Sequence, residues 1–271
     1  MGKFSGVLFY TDYDDTLYNS AHTVSPENHA AIRYFQRSGG RFSVATGRAY
    51  RTFTPQIERE GLSLNAPVVL SNGAALYDYG EDRYLMRTFL DADAPGRFTE
   101  LFRDFPGLAL EAYHDENIYV YNPNLVTTEH LKRVGGRQTP CAIPDMPTPW
   151  AKVILEQDEP YLKRVQAHLL ERWGEHYEAI FSNPYLLEVT AKGSHKGAAV
   201  AKAAELLGVS RENLYCIGDN QNDIPMLALS AIPFAPANCS QPVKDWGARI
   251  LGHCDDHAVA QAIQILDSIY S

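Results

Sequence analysis

Residues 7–16 read Val7-Leu8-Phe9-Tyr10-Thr11-Asp12-Tyr13-Asp14-Asp15-Thr16. Val7 to Tyr10 is apolar without alternation, which suits a short strand buried on both faces. From Asp12 to Asn19 the chain turns polar and acidic, hence a loop. Three carboxylates within four residues repel one another unless a cation or solvent relieves them. Alone, such a run also fits a solvated acidic loop. At the exit of a buried strand, however, two aspartates spaced by one residue can supply a nucleophile, Asp12, and a separate proton donor, Asp14.

Outward from this stretch, strands and helices alternate. Ser25-Pro26-Glu27 signals a helix start, with Ser25 as N-cap, running to about Ser38 and stopping at Gly39-Gly40. Phe42 to Ala45 and Pro67 to Leu70 read as strands. The alternation resumes with an alanine-rich helix capped by Ser194, a strand at Leu214 to Ile217, a short helix at Ile224 to Leu229, a strand at Ile232 to Ala235 and a last helix at Ala258 to Tyr270. This pattern predicts an α/β fold, a doubly wound, Rossmann-like parallel sheet. The middle of the chain has helix candidates (Ala94 to Phe105, Glu159 to Trp173), strand candidates (Ile118 to Tyr121, Ala151 to Leu155) and four prolines between Pro140 and Pro149. We read residues 1–83 and 187–271 as the core and 84–186 as an inserted α+β domain.

The bulk numbers bound the function. A chain of 271 residues can bury one large core or two ordinary ones. A net charge of −9 argues against a nucleic-acid partner. No apolar run reaches membrane-spanning length, and the N-terminal apolar stretch is too short for a signal-peptide core. The cysteines, Cys141, Cys216, Cys239 and Cys254, lack CxxC spacing, so a reducing, cytoplasmic compartment is expected.

Three further loops follow strands or open helices. In a parallel sheet the carboxyl ends of strands share one edge, where ligands bind. Ala45-Thr46-Gly47-Arg48 offers a hydroxyl, a flexible backbone and a guanidinium, which suit phosphate oxygens, although a simple turn would read the same way. In Gly193-Ser194-His195-Lys196-Gly197, Lys196 falls in the first helical turn, where the helix dipole disfavours a cation. An anion shared by Lys196 and the helix end would compensate; a solvated surface lysine is the plainer alternative. Gly218-Asp219-Asn220-Gln221-Asn222-Asp223 supplies hard oxygen ligands. It is no EF-hand, because Ser230 stands at the twelfth position, where glutamate is required.

Taken together, these segments resemble the haloacid dehalogenase superfamily of phosphatases. Asp12 to Thr16 matches its DxDxT motif, Thr46 the second motif, Lys196 the third and Gly218 to Asp223 the fourth, in order. Ala45 to Arg48, Ser71-Asn72-Gly73-Ala74 and Leu187-Glu188-Val189 are similar to the Cof-type sugar-phosphatase branch, which carries a large α/β cap (class IIB). One position departs: Asp15 stands where the family usually has glycine.

The resemblance implies a Mg2+-dependent phosphatase acting on a small phosphorylated metabolite, a sugar phosphate foremost. Asp12 would attack phosphorus. Asp14 would act as acid and then base, with a pKa above that of Asp12. Thr46, Gly47 and Lys196 would hold phosphoryl oxygens, and Arg48 and Asn72 would meet the substrate. Metal ligands would come from Asp12, the backbone carbonyl of Asp14, Asp219, Asn222 and Asp223. Unit charges 4 Å apart repel by about 4 kcal/mol at an effective dielectric near 20, so converging carboxylates and a phosphate call for a divalent cation. All-oxygen ligation favours Mg2+ over zinc. The cap would close as a lid, with the proline-bearing loop from Pro140 to Trp150 as its specificity element and Trp150 and Trp173 as packing residues. A mutase, which returns the phosphoryl group to an acceptor sugar, and a non-catalytic phosphometabolite-binding protein are the rival readings.

Overall fold

The computed structural model describes residues 2–270. Among these, one sheet has five strands in the spatial order Arg249–Ile250, Pro233–Ala235, Leu214–Ile217, Leu8–Thr11, Arg41–Val44. Every pairing in it is parallel, and Leu8 lies opposite Leu214 on one side and Arg41 on the other. All four residues of Leu8–Thr11 are buried, as a strand covered on both faces requires. Phe9 packs with Phe35, Phe42 and Ile263 on one face, while Leu8 and Tyr10 meet Val200, Ala203 and Met226 on the other. The doubly wound core is therefore as the alternation predicted.

The first helix is Pro26–Arg37, and Ser25 Oγ accepts from the Asn28 amide at 3.2 Å, the expected cap. Val68–Leu70 begins a separate three-stranded antiparallel sheet with Ala75–Asp78 and Arg83–Arg87. A single parallel bridge, Ala45 to Val69, ties it to the edge of the main sheet.

A third sheet has six strands, ordered Tyr177–Asn183, Leu186–Ala191, Lys152–Glu156, Ala109–His114, Asn117–Tyr121, Gln138–Pro140. Its outer face (Leu110, Val153, Leu155, Leu187) packs on the helices Ala94–Asp104 and Glu159–Trp173. Its inner face carries Tyr113, Ile154 and Leu186 and meets Ala49 of the core. The helix Leu125–Val134, which the sequence reading did not anticipate, lies on that inner side through Leu131. Its start signal was present: Asn124 Oδ1 accepts from the Thr127 amide at 3.1 Å.

Two expectations shift here. The sequence pattern puts the return to the core at residue 187, yet Leu186–Ala191 pairs on both sides within the six-stranded sheet. A hairpin turn gives no compositional break at that point. We propose that the insert runs from just after Arg87 to the turn before Lys196. The loop from Pro140 to Trp150, expected to set specificity, does not line the main cleft: Ile143, Met146 and Trp150 are buried in the outer core of the insert. Trp150 packs there, as expected, with its indole N–H donating to Pro147 O at 2.8 Å.

Candidate active site

The strand Leu8–Thr11 ends at Asp12, whose amide donates to Ile217 O at 2.9 Å and so ties the loop to the neighbouring strand. Asp219 follows that neighbour, and Thr46 to Arg48 follow Arg41–Val44. Three loops far apart in sequence thus meet at one sheet edge. Carboxylate oxygens of Asp12, Asp219 and Asp223 lie within 4.8 Å of one another.

Lys196 opens the helix Lys196–Leu207 and is 1% exposed, so the surface-lysine reading fails. Its Nζ lies 2.5 Å from Asp12 Oδ1 and 2.6 Å from Asp223 Oδ1. Burial opposes its charge, but the two carboxylates outweigh this and hold its pKa above the usual lysine range. The cap of this helix is His195, not Ser194: His195 Nδ1 accepts from the Ala198 amide at 3.1 Å. The Ser194 hydroxyl instead faces Gly73 O and Thr88.

Asp223 is fully engaged. Its Oδ2 accepts the amides of Asp219 and Asn220, both at 3.0 Å, while Oδ1 faces Lys196. The loop needs Gly218, because a Cβ there would lie 2.4 Å from Asp223 Cγ. Asp12 and Asp219 keep oxygens free. Asp219 Oδ1 accepts from the Thr16 hydroxyl at 3.0 Å, the structural use of the last residue of the first motif.

The charge states follow burial. Burial, together with Asp223 and Asp14, pushes Asp12 up to about 7 despite Lys196. Asp219 rises well above the carboxylate range, through burial first and then Asp12 and Asp223. Asp14 goes the other way. Burial raises it, but two hydrogen bonds from Arg48, at 2.8 and 2.7 Å, and the charges of Arg48, Arg133 and Lys196 hold it below its ordinary value. The expectation that Asp14 titrates above Asp12 is therefore reversed in this geometry. Arg48, expected on the substrate, lines the cleft but forks onto Asp14.

Thr46 is buried, and its Oγ accepts from the Arg48 amide at 3.1 Å. Gly47 lines the cleft; a Cβ there would stand 3.2 Å from Asn72 Nδ2, so glycine leaves the cradle open. Asn222 Nδ2 donates to Asn72 Oδ1 at 3.0 Å. Asn72 Nδ2 and Asn222 Oδ1 are buried without partners, one donor and one acceptor beside the acidic cluster. Such orphans carry a penalty unless a ligand satisfies them. The converging carboxylates and the orphaned Asn222 oxygen fit a hard divalent cation, and the Asn72 amide fits an anion.

A cleft of about 490 Å3 opens above these groups, between the core and the insert. The insert contributes residues that the sequence reading missed. Lys152 Nζ donates to Gly47 O at 2.8 Å and pairs with Glu188 at 2.9 Å. Arg133 reaches Asp15 Oδ2 at 2.8 Å. A signal existed: Lys152, Ile154 and Glu156 alternate with Val153 and Leu155, so one face of that buried strand carries a charge at each end. Glu111 and Glu188 sit opposite Ile154 in the adjacent strands, on the same face.

The fold and site together define a capped α/β phosphatase. The model of the haloacid dehalogenase-like hydrolases matches residues 9–263, and the chain belongs to that family, in its Cof-type branch, as a phosphoric monoester hydrolase. It is 28% identical, over 95% of its length and 94% of the relative's, to a 5-amino-6-(5-phospho-D-ribitylamino)uracil phosphatase of Bacillus subtilis. It is 25% identical to a pyridoxal phosphate phosphatase of Escherichia coli, covering 93% of this chain and 95% of the other. A solved subclass IIB sugar phosphatase superposes with a TM-score of 0.81 at 19% identity, over 96% of this chain and 99% of that one.

Proposed function

We propose that this chain hydrolyses a small phosphorylated metabolite, of the sugar-phosphate kind or comparable, through a phosphoryl group carried on Asp12. The observation that carries the reading is the Asp12 carboxylate. One oxygen is anchored by buried Lys196; the other has no hydrogen-bond partner among the described residues, and the side chain borders the cleft. An anchored carboxylate with one free oxygen is built for in-line attack on phosphorus.

In the first step Asp12 Oδ2 bonds to phosphorus as the bond to the leaving oxygen breaks. Asp14 gives that oxygen a proton. In the second step water attacks the same phosphorus, Asp14 takes its proton, and the Asp12 carboxylate is released. Asp14 must be freed from Arg48 and carry a proton to do this. An arriving phosphate dianion favours both, because it attracts the guanidinium and raises the carboxyl pKa. Lys196, the Gly47 amide and the Asn72 amide would hold phosphoryl oxygens, with Thr46 shaping the turn.

Asp12, Asp219 and Asn222 would hold Mg2+, with the Asp14 carbonyl beside them and Asp223 positioning the loop. When bound, the ion supplies charge neutralisation between the carboxylates and the phosphate. That the insert excludes bulk water from the cleft, and that the enzyme works in the cytoplasm as a soluble protein, belong to the same reading.

Asp12→Asn tests it. Phosphate release from phosphomonoesters should fall about a thousandfold or more while the variant still folds, as its circular dichroism spectrum and cooperative melting would show. A folded Asn variant with full activity would remove Asp12 as nucleophile.

A further inference from the structure

The insert gives the cleft four largely buried polar side chains: Tyr113, His130, Lys152 and Glu188. Three of them are committed inside the protein. The Tyr113 hydroxyl donates to Glu111 Oε2 at 2.8 Å. Lys152 and Glu188 bond each other, and Lys152 also holds Gly47 O. His130 differs. Its Nδ1 faces Glu111 Oε1 at 3.0 Å and Glu156 Oε1 at 3.5 Å. Its Nε2 has no hydrogen-bond partner among the described residues. The ring borders the cleft, its side chain is 11% exposed, and Nε2 is the ring nitrogen not engaged by Glu111 or Glu156.

Two buried carboxylates against one ring nitrogen favour the imidazolium form, in which Nε2 carries a hydrogen. Burial works against the charge, but the hydrogen bond to Glu111 and the nearby Glu156 carboxylate prevail and push His130 up to about 9. Around it the cleft wall mixes apolar side chains, Val126, Val134 and Leu186 with exposed Leu125 at the rim, with the polar Glu129, Arg133 and Asn183. The cavity therefore sets the uncommitted nitrogen of His130 beside a partly hydrocarbon surface. A polyol would leave that surface unsatisfied; a ring with an oxygen at its edge would use both features.

Resting on the phosphatase reading above, we infer that His130 is a specificity-determining residue, whose Nε2–H binds an acceptor oxygen on the organic part of the substrate, and that this part has an apolar, ring-like face rather than being a small polyol. The role is recognition of the leaving group. The chemistry at phosphorus stays with the core.

Substitution can separate the two nitrogens. In His130→Asn the amide takes the place of Nδ1, keeping a donor for Glu111 and removing the one in the cavity. In His130→Gln the amide takes the place of Nε2. The wild type and both variants are assayed with Mg2+ on phenyl phosphate, which has an apolar ring without a ring acceptor, on glycerol 3-phosphate, and on pyridoxal 5′-phosphate, flavin mononucleotide and inosine monophosphate. The wild type should prefer at least one acceptor-bearing ring over both controls. In His130→Asn, the ratio of kcat/KM between that substrate and phenyl phosphate should fall about tenfold, mostly through KM. That equals roughly 1.4 kcal/mol, the scale of a hydrogen bond to a charged group. His130→Gln should retain more of the ratio than His130→Asn, and it serves if the Asn variant does not fold. A ratio unchanged in the folded variants, or a wild type that prefers glycerol 3-phosphate, overturns the inference while leaving the phosphatase reading intact. No phosphate release from any of the five compounds removes the phosphatase reading itself, and this inference with it.

Discussion

Arg133 Nη2, on the insert, lies 2.8 Å from Asp15 Oδ2, next to the nucleophile loop, and 3.5 Å from Asp14 Oδ1. Asp15 has a φ of 61°, in the left-handed region that favours glycine. Backbone shape alone would therefore select glycine here, as the family usually has. The aspartate accepts that strain and gains a partner across the cleft, while its carbonyl accepts from Asn238 Nδ2 at 2.7 Å.

If this pair helps close the insert over the core, Asp15→Gly keeps the turn and loses the clasp. Both side chains are well exposed, so the pair is worth at most about 1 kcal/mol. KM should then rise roughly two- to fivefold, with kcat moving less. Salt should raise KM in the wild type, because exposed pairs are screened, and should do so less in Asp15→Gly. Equal salt dependence in the two proteins counts against the clasp. Asp15→Ala should melt below Asp15→Gly, since it keeps the positive φ with a Cβ, at a cost of about 1 kcal/mol.

Lys196 lies between two carboxylates with almost no solvent. Lys196→Met leaves Asp12 and Asp223 facing each other unpaired. Breaking a buried ion pair from one side costs about 3–5 kcal/mol, so the urea midpoint should fall clearly and activity should vanish. Mg2+ should restore part of the lost stability, because a cation can do some of the neutralising that the ammonium did. A variant as stable as the wild type would mean that the carboxylates are already neutral there.

How legible this was depends on distance along the chain. Asp12, Thr46, Lys196 and Asp219 each sit at a strand end or helix start, so local pattern placed them and the parallel sheet brought them together. The Asp14 pKa order went astray because it is set by Arg48 and by Arg133, which is more than a hundred residues away along the chain. Lys152, Glu111 and Glu156 carried a period-two signal, but which face of a two-sided sheet meets the core is decided by packing. Pro140 to Trp150 misled because a stiff loop suggests a rigid site, whereas its apolar residues fill the insert's outer core.

The cluster of His130, Glu111 and Glu156 should make stability fall at high pH. His130 is raised from 6.5 to about 9 in the folded chain, against the penalty of burial, by Glu111 and Glu156. A raised histidine pKa stabilises fully below the unfolded value and loses that contribution as pH climbs through the folded value. Between about pH 6.5 and 9 the native state holds an extra proton, so stability declines across that window. The loss is at most about 3 kcal/mol. Urea midpoints at pH 6.5 and 9.5 should differ in the wild type by more than in His130→Asn. Parallel slopes would place the proton elsewhere.

The acidic cluster makes the metal testable without turnover. Asp219 is held well above the ordinary carboxylate range by burial and then by Asp12 and Asp223, and Asp12 is pushed up to about 7. Both shifts come from burial first and neighbouring carboxylates second, so a divalent cation that displaces these protons should stabilise the fold. At a free concentration a hundred times its Kd, a ligand bound only to the native state adds about 2.7 kcal/mol. Mg2+ should thus raise the melting temperature of EDTA-treated protein. It should do so more at pH 8 than at pH 5, where protons compete for the same oxygens. Activity should vanish with EDTA and return with Mg2+. Asp219→Asn should abolish the thermal shift, because it removes one of the two carboxylates with uncommitted oxygens. A wild type whose melting is indifferent to Mg2+, or an Asp219→Asn variant that responds as fully as the wild type, would falsify this assignment of the ion to the Asp12–Asp219 pair.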